Sequence, residues 1–331
     1  MKKALVLGAT GGSGQALVAE LLSRGVETIA FGRSQSKLRE LAAQYGNPKL
    51  LHTAVGDVFN PDDIIAAAKD VDVIFQSANV KYQEMASQLL PLGESVMKAA
   101  DHVGKKIVIV DGIYVYGRSQ MTRVTEDHPK NPHTNKGKIR VEFEKLIFDK
   151  KWQHAQALIV RLPDYYGPTS QNAYLHPTLQ GIAANKTSIF IGDLNTPREY
   201  VYLPDAAKMI IEIADRDESY GKNWNIPGLG AISGREILDI ARKVTGYRKM
   251  VIPLGKSMIS LLGLFDPLMR EVVEILYLTK EPLILSGEKY SKRIGTIPTT
   301  PFEKGIEETL KIWMQKNETK NHKNRNIVPF K

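Results

Sequence analysis

The fold is decided near the N-terminus by the stretch Ala4-Leu5-Val6-Leu7-Gly8-Ala9-Thr10-Gly11-Gly12-Ser13-Gly14. The apolar run Ala4–Leu7 predicts a buried strand, because four consecutive apolar residues suit a strand that is covered on both faces. Leucines and a valine recur at helical spacing over residues 15–23 and predict a helix. The glycine-rich turn between them therefore joins a strand to a helix N-terminus, which is the context in which such turns bind phosphate groups.

Each glycine of the turn has a predicted task. Gly8 allows a sharp change of direction, and Gly11 and Gly12 leave backbone N–H groups open to an approaching phosphate. Gly14 permits close packing of the helix on the strand. The candidate contacts for a bound pyrophosphate are the residues of this turn, namely Gly8, Thr10, Gly11, Gly12, Ser13 and Gly14.

Strand and helix patterns alternate through the first half of the chain. Apolar or β-branched strands are predicted at 27–31, 50–55, 71–75, 106–110 and 157–162, with helical patterns between them. Such alternation indicates parallel βαβ units with right-handed crossovers. The predicted fold class is α/β, a Rossmann-type doubly wound parallel sheet with a smaller C-terminal substrate lobe. Ligands are then expected at the carboxyl ends of the strands.

The predicted domain boundaries follow the change in pattern. Residues 1–168 form the dinucleotide-binding domain, to which segments at about 198–228 return. Residues 169–315 form mainly the smaller lobe. Residues 316–331 are polar and carry five basic side chains and one acidic one, which predicts a disordered basic tail.

The composition excludes several classes of protein. The chain has 331 residues, 43% hydrophobic and 24% charged, which is typical of a soluble globular protein. It has no cysteine, so disulfides, thiolate catalysis and cysteine metal sites are excluded, and no histidine spacing indicates a metal site. Of the net charge of +9, +4 lies in residues 316–331, and the basic residues of this tail are not interleaved with aromatic residues, so no nucleic-acid partner is predicted. The apolar run 258–265 is too short to span a membrane, and we expect a cytoplasmic protein.

The residues after the second predicted strand indicate which dinucleotide is bound. An acid at this position holds the ribose hydroxyls of NAD, whereas Arg33 and Ser34 follow the strand here, with Lys37 nearby. A cation and a hydroxyl suit the additional 2′-phosphate of NADP. The sequence therefore predicts NADP, with NAD as the less favoured alternative.

With these features in view, the chain resembles the extended short-chain dehydrogenase/reductase superfamily, in its NAD(P)-dependent epimerase/dehydratase group. The resemblance rests on the glycine turn and on segments 56–58, 73–79, 115–117, 161–168, 197–207 and 298–306. It implies an oxidoreductase or epimerase that uses a nicotinamide cofactor and a small-molecule substrate. The further cofactor contacts that it implies are Asp57, Val58, Ser77, Ala78, Asn79, Lys138 and Pro163.

The resemblance fails at the catalytic positions. Enzymes of the group use a Ser or Thr, a Tyr and, four residues after the Tyr, a Lys. Lys138 matches the lysine, but Thr134 stands at the tyrosine position and Gly112 at the serine position, with Asp111 beside it. No tyrosine occurs between Gly117 and Lys138. Because a threonine hydroxyl is a poor acid or base near neutral pH, the standard proton transfer is not available.

Three interpretations of this departure remain open. In the first, another group at a strand end supplies the proton, and the candidates are Tyr82, Tyr114, Tyr116, Tyr165, Tyr166 and Asp111. In the second, Lys138 is itself the acid, because a bound positively charged nicotinamide would lower its pKa. In the third, the protein binds NADP(H) without turnover and acts as a redox sensor.

The favoured function is an atypical NADP-dependent reductase or epimerase/dehydratase-like enzyme for a small carbonyl, hydroxyl or sugar-type substrate. A homodimer through the long helical segments 82–103 and 136–150 is a further expectation.

Overall fold

The computed structural model describes residues 1–46, 48–119, 121–171 and 173–325. The first half alternates strands and helices as predicted. In chain order its elements are β1 (Lys3–Leu7), α1 (Gly12–Ser23), β2 (Glu27–Gly32), α2 (Gln35–Gln44), β3 (Leu51–Val55), α3 (Pro61–Ala68), β4 (Val73–Gln76), α4 (Met85–Val103), β5 (Lys106–Gly112), α5 (Asn135–Ile147) and β6 (Gln156–Leu162).

The second half is built from shorter elements. They are β7 (Asp164–Tyr166), α6 (His176–Ala183), β8 (Ser188–Ile191), β9 (Arg198–Tyr202), α7 (Leu203–Ala214), β10 (Asn223–Asn225), β11 (Ala231–Ile232), α8 (Gly234–Thr245), β12 (Val251–Leu254), α9 (Lys256–Leu262), α10 (Pro267–Val273), α11 (Glu288–Arg293) and α12 (Phe302–Arg325).

The central sheet has seven strands in the order β10-β6-β5-β4-β1-β2-β3. Every pairing within it is parallel. The chain order reverses between β1 and β4, so the carboxyl ends of these two strands flank the crevice in which doubly wound folds bind ligands. The predicted Rossmann-type fold is confirmed.

Apolar layers cover the sheet on both faces. On one face α1 and α7 pack on the strands with residues such as Leu17, Val18 and Ile210. On the other face α3, α4 and α5 pack through residues such as Ile64 and Phe143. Local signals in the sequence mark where helices begin. Asn60, for example, caps α3 by accepting a hydrogen bond from the Asp62 N–H at 3.2 Å.

Two segments from the second half return to the sheet. Helix α7 packs against α1, and β10 pairs with β6 at the sheet edge. The remaining elements form a second apolar cluster in which α6, α8 and α12 surround β8 and β9. This smaller lobe follows β6 and β7, and so it begins at the carboxyl edge of the sheet.

The structure corrects the prediction for the C-terminal tail. Helix α12 continues to Arg325, so residues 316–325 are helical where the sequence predicts disorder. Residues 326–331 lie outside the described part of the chain. Among the described residues, no helix is both long enough and apolar enough to span a bilayer.

Candidate active site

The glycine turn at the end of β1 is built so that side chains would not fit. Gly8 has a φ of +74°, and a Cβ placed on it would lie 2.5 Å from the Ala78 nitrogen at the end of β4. A Cβ on Gly14 would lie 2.2 Å from the Gly8 carbonyl oxygen. The first glycine is therefore required by the backbone conformation, and the third by the packing of α1 on β1.

The N-terminus of α1 is open to an anion. Gly11 is the N-cap of α1, and no side chain accepts a hydrogen bond from the first turn at the cap. The backbone N–H groups of Gly12, Ser13 and Gly14 occupy the first helical turn, where an α-helix has no internal acceptors. Together with the helix dipole, these donors form a site for a phosphate group. Thr169 packs beside the turn and donates its hydroxyl to the Gly12 carbonyl at 2.9 Å.

The residues that follow the neighbouring strands lie around this turn. Ser77 donates its hydroxyl to the Leu7 carbonyl at 2.7 Å, which holds the end of β4 against β1. Ala78 lies directly beside Gly8, whereas Asn79 is exposed. The structure therefore brings together the predicted cofactor contacts that follow β1 and β4, with the glycine turn on one side of them.

The other predicted cofactor contacts lie at the ends of β3 and β6. The Asp57 carboxylate accepts a hydrogen bond from the Phe59 N–H at 3.1 Å, so it orders the turn after β3. Val58 is half-buried beside it, and Pro163 is buried directly after β6. These residues sit at the same edge of the sheet as the glycine turn, because all of these strands run in parallel.

Arg33 directly follows β2 and is exposed. Ser34 is the N-cap of α2, where its hydroxyl accepts a hydrogen bond from the Lys37 N–H at 3.4 Å. The turn that follows β2 thus presents a guanidinium, a serine hydroxyl and a helix N-terminus at the carboxyl end of the sheet. These three features are suited to an anionic group.

The structure places Lys138, the site lysine predicted from the sequence, away from the buried face of α5. Lys138 lies on the exposed side of α5, whereas Lys136 and Arg140 are buried, at 4% of their accessible surface each. Residues four apart share one helix face, and the residue midway between them faces the opposite side. The cations that α5 turns toward the strand ends are therefore Lys136 and Arg140.

The polar groups of two other predicted catalytic residues are engaged in interactions within the protein. Thr134 is the N-cap of α5, where its hydroxyl accepts a hydrogen bond from the Gly137 N–H at 3.0 Å. Asp111 is buried between two arginines and forms ion pairs with Arg140 and with Arg161, the latter at 2.5 Å. A capping hydroxyl and a doubly paired carboxylate are not free to exchange a proton, so the structure does not support catalytic roles for them.

The tyrosines predicted as alternative proton donors lie in different parts of the structure. Tyr116 is buried and donates its hydroxyl to the Asn225 side chain at 2.7 Å, so it holds the sheet edge rather than facing the cleft. Tyr166 packs in the second lobe against Tyr202. Tyr165 is half-buried and donates to the Gln171 carbonyl at 3.1 Å.

Tyr82 and Tyr114 remain, and the fold brings them together. Tyr82 follows β4 and Tyr114 follows β5, and their hydroxyl oxygens are 2.6 Å apart. The Arg140 guanidinium lies over the Tyr114 ring, 5.6 Å from its centroid, and the Lys136 ammonium lies 5.8 Å from the centroid of Tyr82. We call these four residues the tyrosine cluster.

Burial governs the acidity of the two phenols. It raises the pKa of Tyr82, and it raises the pKa of Tyr114 well above its ordinary value, with a further contribution from the neighbouring Tyr82. Both phenols are therefore neutral at physiological pH. They can donate protons, but neither is a ready base in the free protein.

A second group of polar residues faces the cluster from the smaller lobe. Arg198 on β9 pairs with Asp164 on β7, and its guanidinium carbon lies 4.3 Å from the centroid of the Tyr174 ring. The Tyr174 hydroxyl and one Arg198 nitrogen are buried, and the described residues offer neither a hydrogen-bond partner. Buried polar atoms without partners are uncommon in folded proteins, and a bound ligand can satisfy them.

Sequence reasoning assigned no role to Tyr174 and identified the segment of Arg198 only through the family resemblance. Arg198 pairs with Asp164, which lies 34 positions away in the chain, so no short-range pattern in the sequence predicts this pair. Among the described residues, no group of histidines and acids could hold a metal ion.

The chain belongs to the NAD dependent epimerase/dehydratase family, whose model matches residues 4–227. The matched region includes the glycine turn, all seven strands of the central sheet and the tyrosine cluster. The chain is thus a member of a family of nicotinamide-dependent enzymes, as the sequence predicted.

Similar proteins have related descriptions. An uncharacterized UDP-glucose epimerase of Bacillus subtilis is 22% identical over 263 residues, which cover 74% of this chain and 83% of that protein. The UDP-glucuronic acid 4-epimerase of Bacillus cereus, solved with NAD, aligns with a TM-score of 0.77 at 18% identity, covering 95% of this chain and 99% of that one. The dTDP-glucose 4,6-dehydratase of Bacillus anthracis, also solved with NAD, aligns with a TM-score of 0.77 at 18% identity and covers 96% and 98%. At these identities, the two solved structures establish the shared fold.

Proposed function

We propose that this protein is an NADP-dependent oxidoreductase or epimerase that transfers hydride between its cofactor and a carbonyl or hydroxyl group of a sugar-type substrate. The observation that carries this proposal is the meeting of two features at one edge of the sheet. A side-chain-free phosphate turn ends β1, and the tyrosine cluster lies beyond the ends of β4 and β5. In doubly wound folds a dinucleotide lies across this edge, with one mononucleotide over each half of the sheet.

The choice of NADP rests on Arg33. The solved neighbours hold NAD, and a guanidinium after β2 in this chain favours the additional 2′-phosphate instead. Lys37 lies one helical turn further along α2 and adds a second positive charge near the same position. When bound, the nicotinamide cofactor would supply or accept the hydride.

The sugar-type substrate is proposed from the names of the relatives, which are enzymes of nucleotide-linked sugars. In this chain the substrate space would lie between the tyrosine cluster and the smaller lobe. The partnerless hydroxyl of Tyr174 and the partnerless nitrogen of Arg198 would hydrogen-bond substrate oxygens there. Because Asp164 neutralises Arg198, we expect this part of the site to bind hydroxyl or carbonyl groups rather than a free charge.

A second candidate function is a sensor that binds NADP(H) without turnover. Three observations favour it: Thr134 caps a helix, Asp111 is held by two arginines, and Lys138 is exposed. A sensor would need the phosphate turn and Arg33, but no proton donor.

Titration calorimetry with NADPH and NADH, followed by a hydride-transfer screen, separates the candidates. The screen would follow absorbance at 340 nm over carbonyl compounds that include 4-keto nucleotide sugars. Turnover with NADPH supports the enzyme, tight NADPH binding without turnover favours the sensor, and no binding of either cofactor refutes both.

The same assays distinguish the two lysines. We expect Lys136→Ala to reduce turnover because it removes a cation beside Tyr82, and Lys138→Ala to leave turnover unchanged because Lys138 is exposed. Loss of turnover in Lys138→Ala alone would restore the original prediction for that residue.

We also propose a homodimer through α4 and α5. The two helices pack closely, since a Cβ on Gly93 would lie 2.7 Å from the Phe143 ring. Sedimentation velocity at micromolar concentration tests this proposal, and a monomer would refute it.

A further inference from the structure

The hydroxyl groups of Tyr82 and Tyr114 carry two protons, and the hydrogen bond between them uses one. Each phenol carries one O–H, and only one of the two can lie between oxygens that are 2.6 Å apart. The described residues provide no other partner for either hydroxyl. One O–H of the pair is therefore free to donate to a group that enters the site.

The position of the pair suits transfer of that proton to a substrate. The strand order places β4, β5 and β6 in one half of the sheet and β1, β2 and β3 in the other, with the phosphate turn at β1. A dinucleotide whose pyrophosphate lies at the turn extends its second mononucleotide over the half that contains β5. Tyr114 follows the central strand of that half, and Tyr82 follows the strand between β5 and the turn.

Several other groups near these strand ends are already committed to partners within the protein. Thr134 caps α5, Asp111 pairs with two arginines, and Tyr116 donates to Asn225. Lys136 donates to two carboxylates of the smaller lobe, Glu271 and Glu274, which raise its pKa and keep it protonated.

Resting on the proposed function, we infer that Tyr114 is the catalytic proton donor of this enzyme and that Tyr82 restores the proton through the hydroxyl pair. In the reducing direction, the bound nicotinamide cofactor would supply the hydride for a new C–H bond at the substrate carbonyl carbon. The carbonyl π electrons move to oxygen, the Tyr114 O–H bond breaks, and its proton forms the new substrate hydroxyl. The Tyr82 proton then passes to the Tyr114 oxygen, and solvent reprotonates Tyr82. The oxidising direction is the reverse.

The surroundings of Tyr114 support this assignment. The Arg140 guanidinium over its ring stabilises negative charge that develops on the phenol oxygen, while Asp111 keeps that arginine in place. Burial keeps the phenol neutral until a substrate arrives. The charged or titratable groups facing the pair are Lys136 and Arg140 from α5, Asp164 from β7, and Tyr174 and Arg198 from the smaller lobe.

The first test needs no substrate. The full chain is labelled with 3-fluorotyrosine, and the ¹⁹F resonance of Tyr114 is assigned by its loss in Tyr114→Phe. Its pH titration is then followed with NADP⁺ and with NADPH. An oxidised ring that lay beside the phenol would lower its pKa by about two pH units relative to the reduced complex, since unit charges about 5 Å apart interact by about that much at an effective dielectric constant of about 20. Tyr220→Phe is the matched control, because its hydroxyl donates to the Ala214 carbonyl away from the strand ends.

The second test uses the carbonyl substrate found in the screen. We expect Tyr114→Phe to lower kcat by about 10²–10⁴-fold, which is the usual contribution of a general acid. KM and the Kd of NADPH should change only a few-fold, because the ring remains. Tyr82→Phe should lower kcat less, and Tyr220→Phe should match the unaltered protein.

The outcomes separate this inference from the proposed function. If neither cofactor binds, both fail. If NADPH binds but the Tyr114 resonance titrates identically in the two complexes, or if Tyr114→Phe retains full kcat, the inference alone fails. A difference between the complexes without turnover on any compound would overturn the proton transfer and favour the sensor.

Discussion

Replacing Arg33 should change the preference for cofactor without changing the fold. Arg33 is exposed at the end of β2, and its guanidinium is proposed to contact the 2′-phosphate that distinguishes NADP from NAD. Hydrogen bonds to charged groups contribute about 1.5–3 kcal/mol, and solvent exposure places this one at the low end of that range. We therefore expect Arg33→Ala to raise the Kd of NADPH about tenfold, which corresponds to about 1.4 kcal/mol, and to leave the Kd of NADH unchanged.

Titration calorimetry at two ionic strengths tests both the magnitude and its physical origin. Raising the salt from about 0.1 M to about 1 M shortens the Debye length from about 10 Å to about 3 Å, so the preference of the unaltered protein for NADPH should shrink. Arg33→Asp should reverse the preference, because a carboxylate repels the phosphate and can accept hydrogen bonds from ribose hydroxyls. Arg248→Ala, at an exposed arginine of the smaller lobe, is the control for the loss of charge. Equal affinity of the unaltered protein for NADH and NADPH, or equal weakening of both by Arg33→Ala, would refute the reasoning.

Four further substitutions test other parts of the structure. Gly14→Ala places a Cβ 2.2 Å from a backbone oxygen, so it should cost about 1–3 kcal/mol of stability in denaturant titrations and weaken NADPH binding, whereas Gly255→Ala meets no atom within 4 Å and should do neither. Thr134→Ala removes a helix cap and should cost about 1 kcal/mol of stability while leaving NADPH affinity intact, and a selective loss of affinity would contradict the capping role. Asp111→Asn leaves the buried Arg140 without its carboxylate partner, while Arg161 keeps its ion pair with Glu144, and should destabilise the protein by about 3–5 kcal/mol, so a midpoint like that of the unaltered protein would show that the ion pairs of Asp111 are dispensable. Burial raises the pKa of Glu199 to about 7, so between pH 4.5 and 7 the folded state holds a proton that the unfolded state releases. The stabilisation that this proton gives is complete below pH 4.5 and is lost as the pH rises through 7. Glu199→Gln should therefore remove a pH dependence of up to about 1.4 kcal/mol per pH unit from the free energy of unfolding in this range.

Local signals in the sequence predicted the framework of the site. The glycine turn, the strand before it and the helix after it lie within about twenty residues, and each depends on backbone conformation or on short-range periodicity. The cap at Asn60 is a local signal of the same kind, because an N-cap and the N–H groups that it satisfies are adjacent in the chain. The parallel pairing of the strands followed from the rule that parallel strands are joined by crossover helices.

The orientation of α5 could not be predicted in the same way. Its sequence has cations at every second position, Lys136, Lys138 and Arg140, so a basic residue would face inward in either of two orientations. What selects the observed one is the position of distant acids, Asp111 at the end of β5 and Glu274 beyond α10. Those partners come together only in the folded chain. A residue spacing taken from a family pattern therefore placed the lysine two positions away from the one that is buried.

The charges around the proposed reaction space are largely balanced within the protein. Asp111 is paired with Arg140, Asp164 with Arg198, and the Lys136 ammonium with carboxylates of the smaller lobe. Paired groups are costly to neutralise, so they hold fixed charges near the site and do not exchange protons easily. A reaction that needs a proton near neutral pH must then use a group whose own protonated form is neutral and whose hydrogen bond is not committed elsewhere. In the described part of this chain the hydroxyl pair that includes Tyr114 meets both conditions, and this is why a threonine at position 134 does not by itself imply that catalysis is lost.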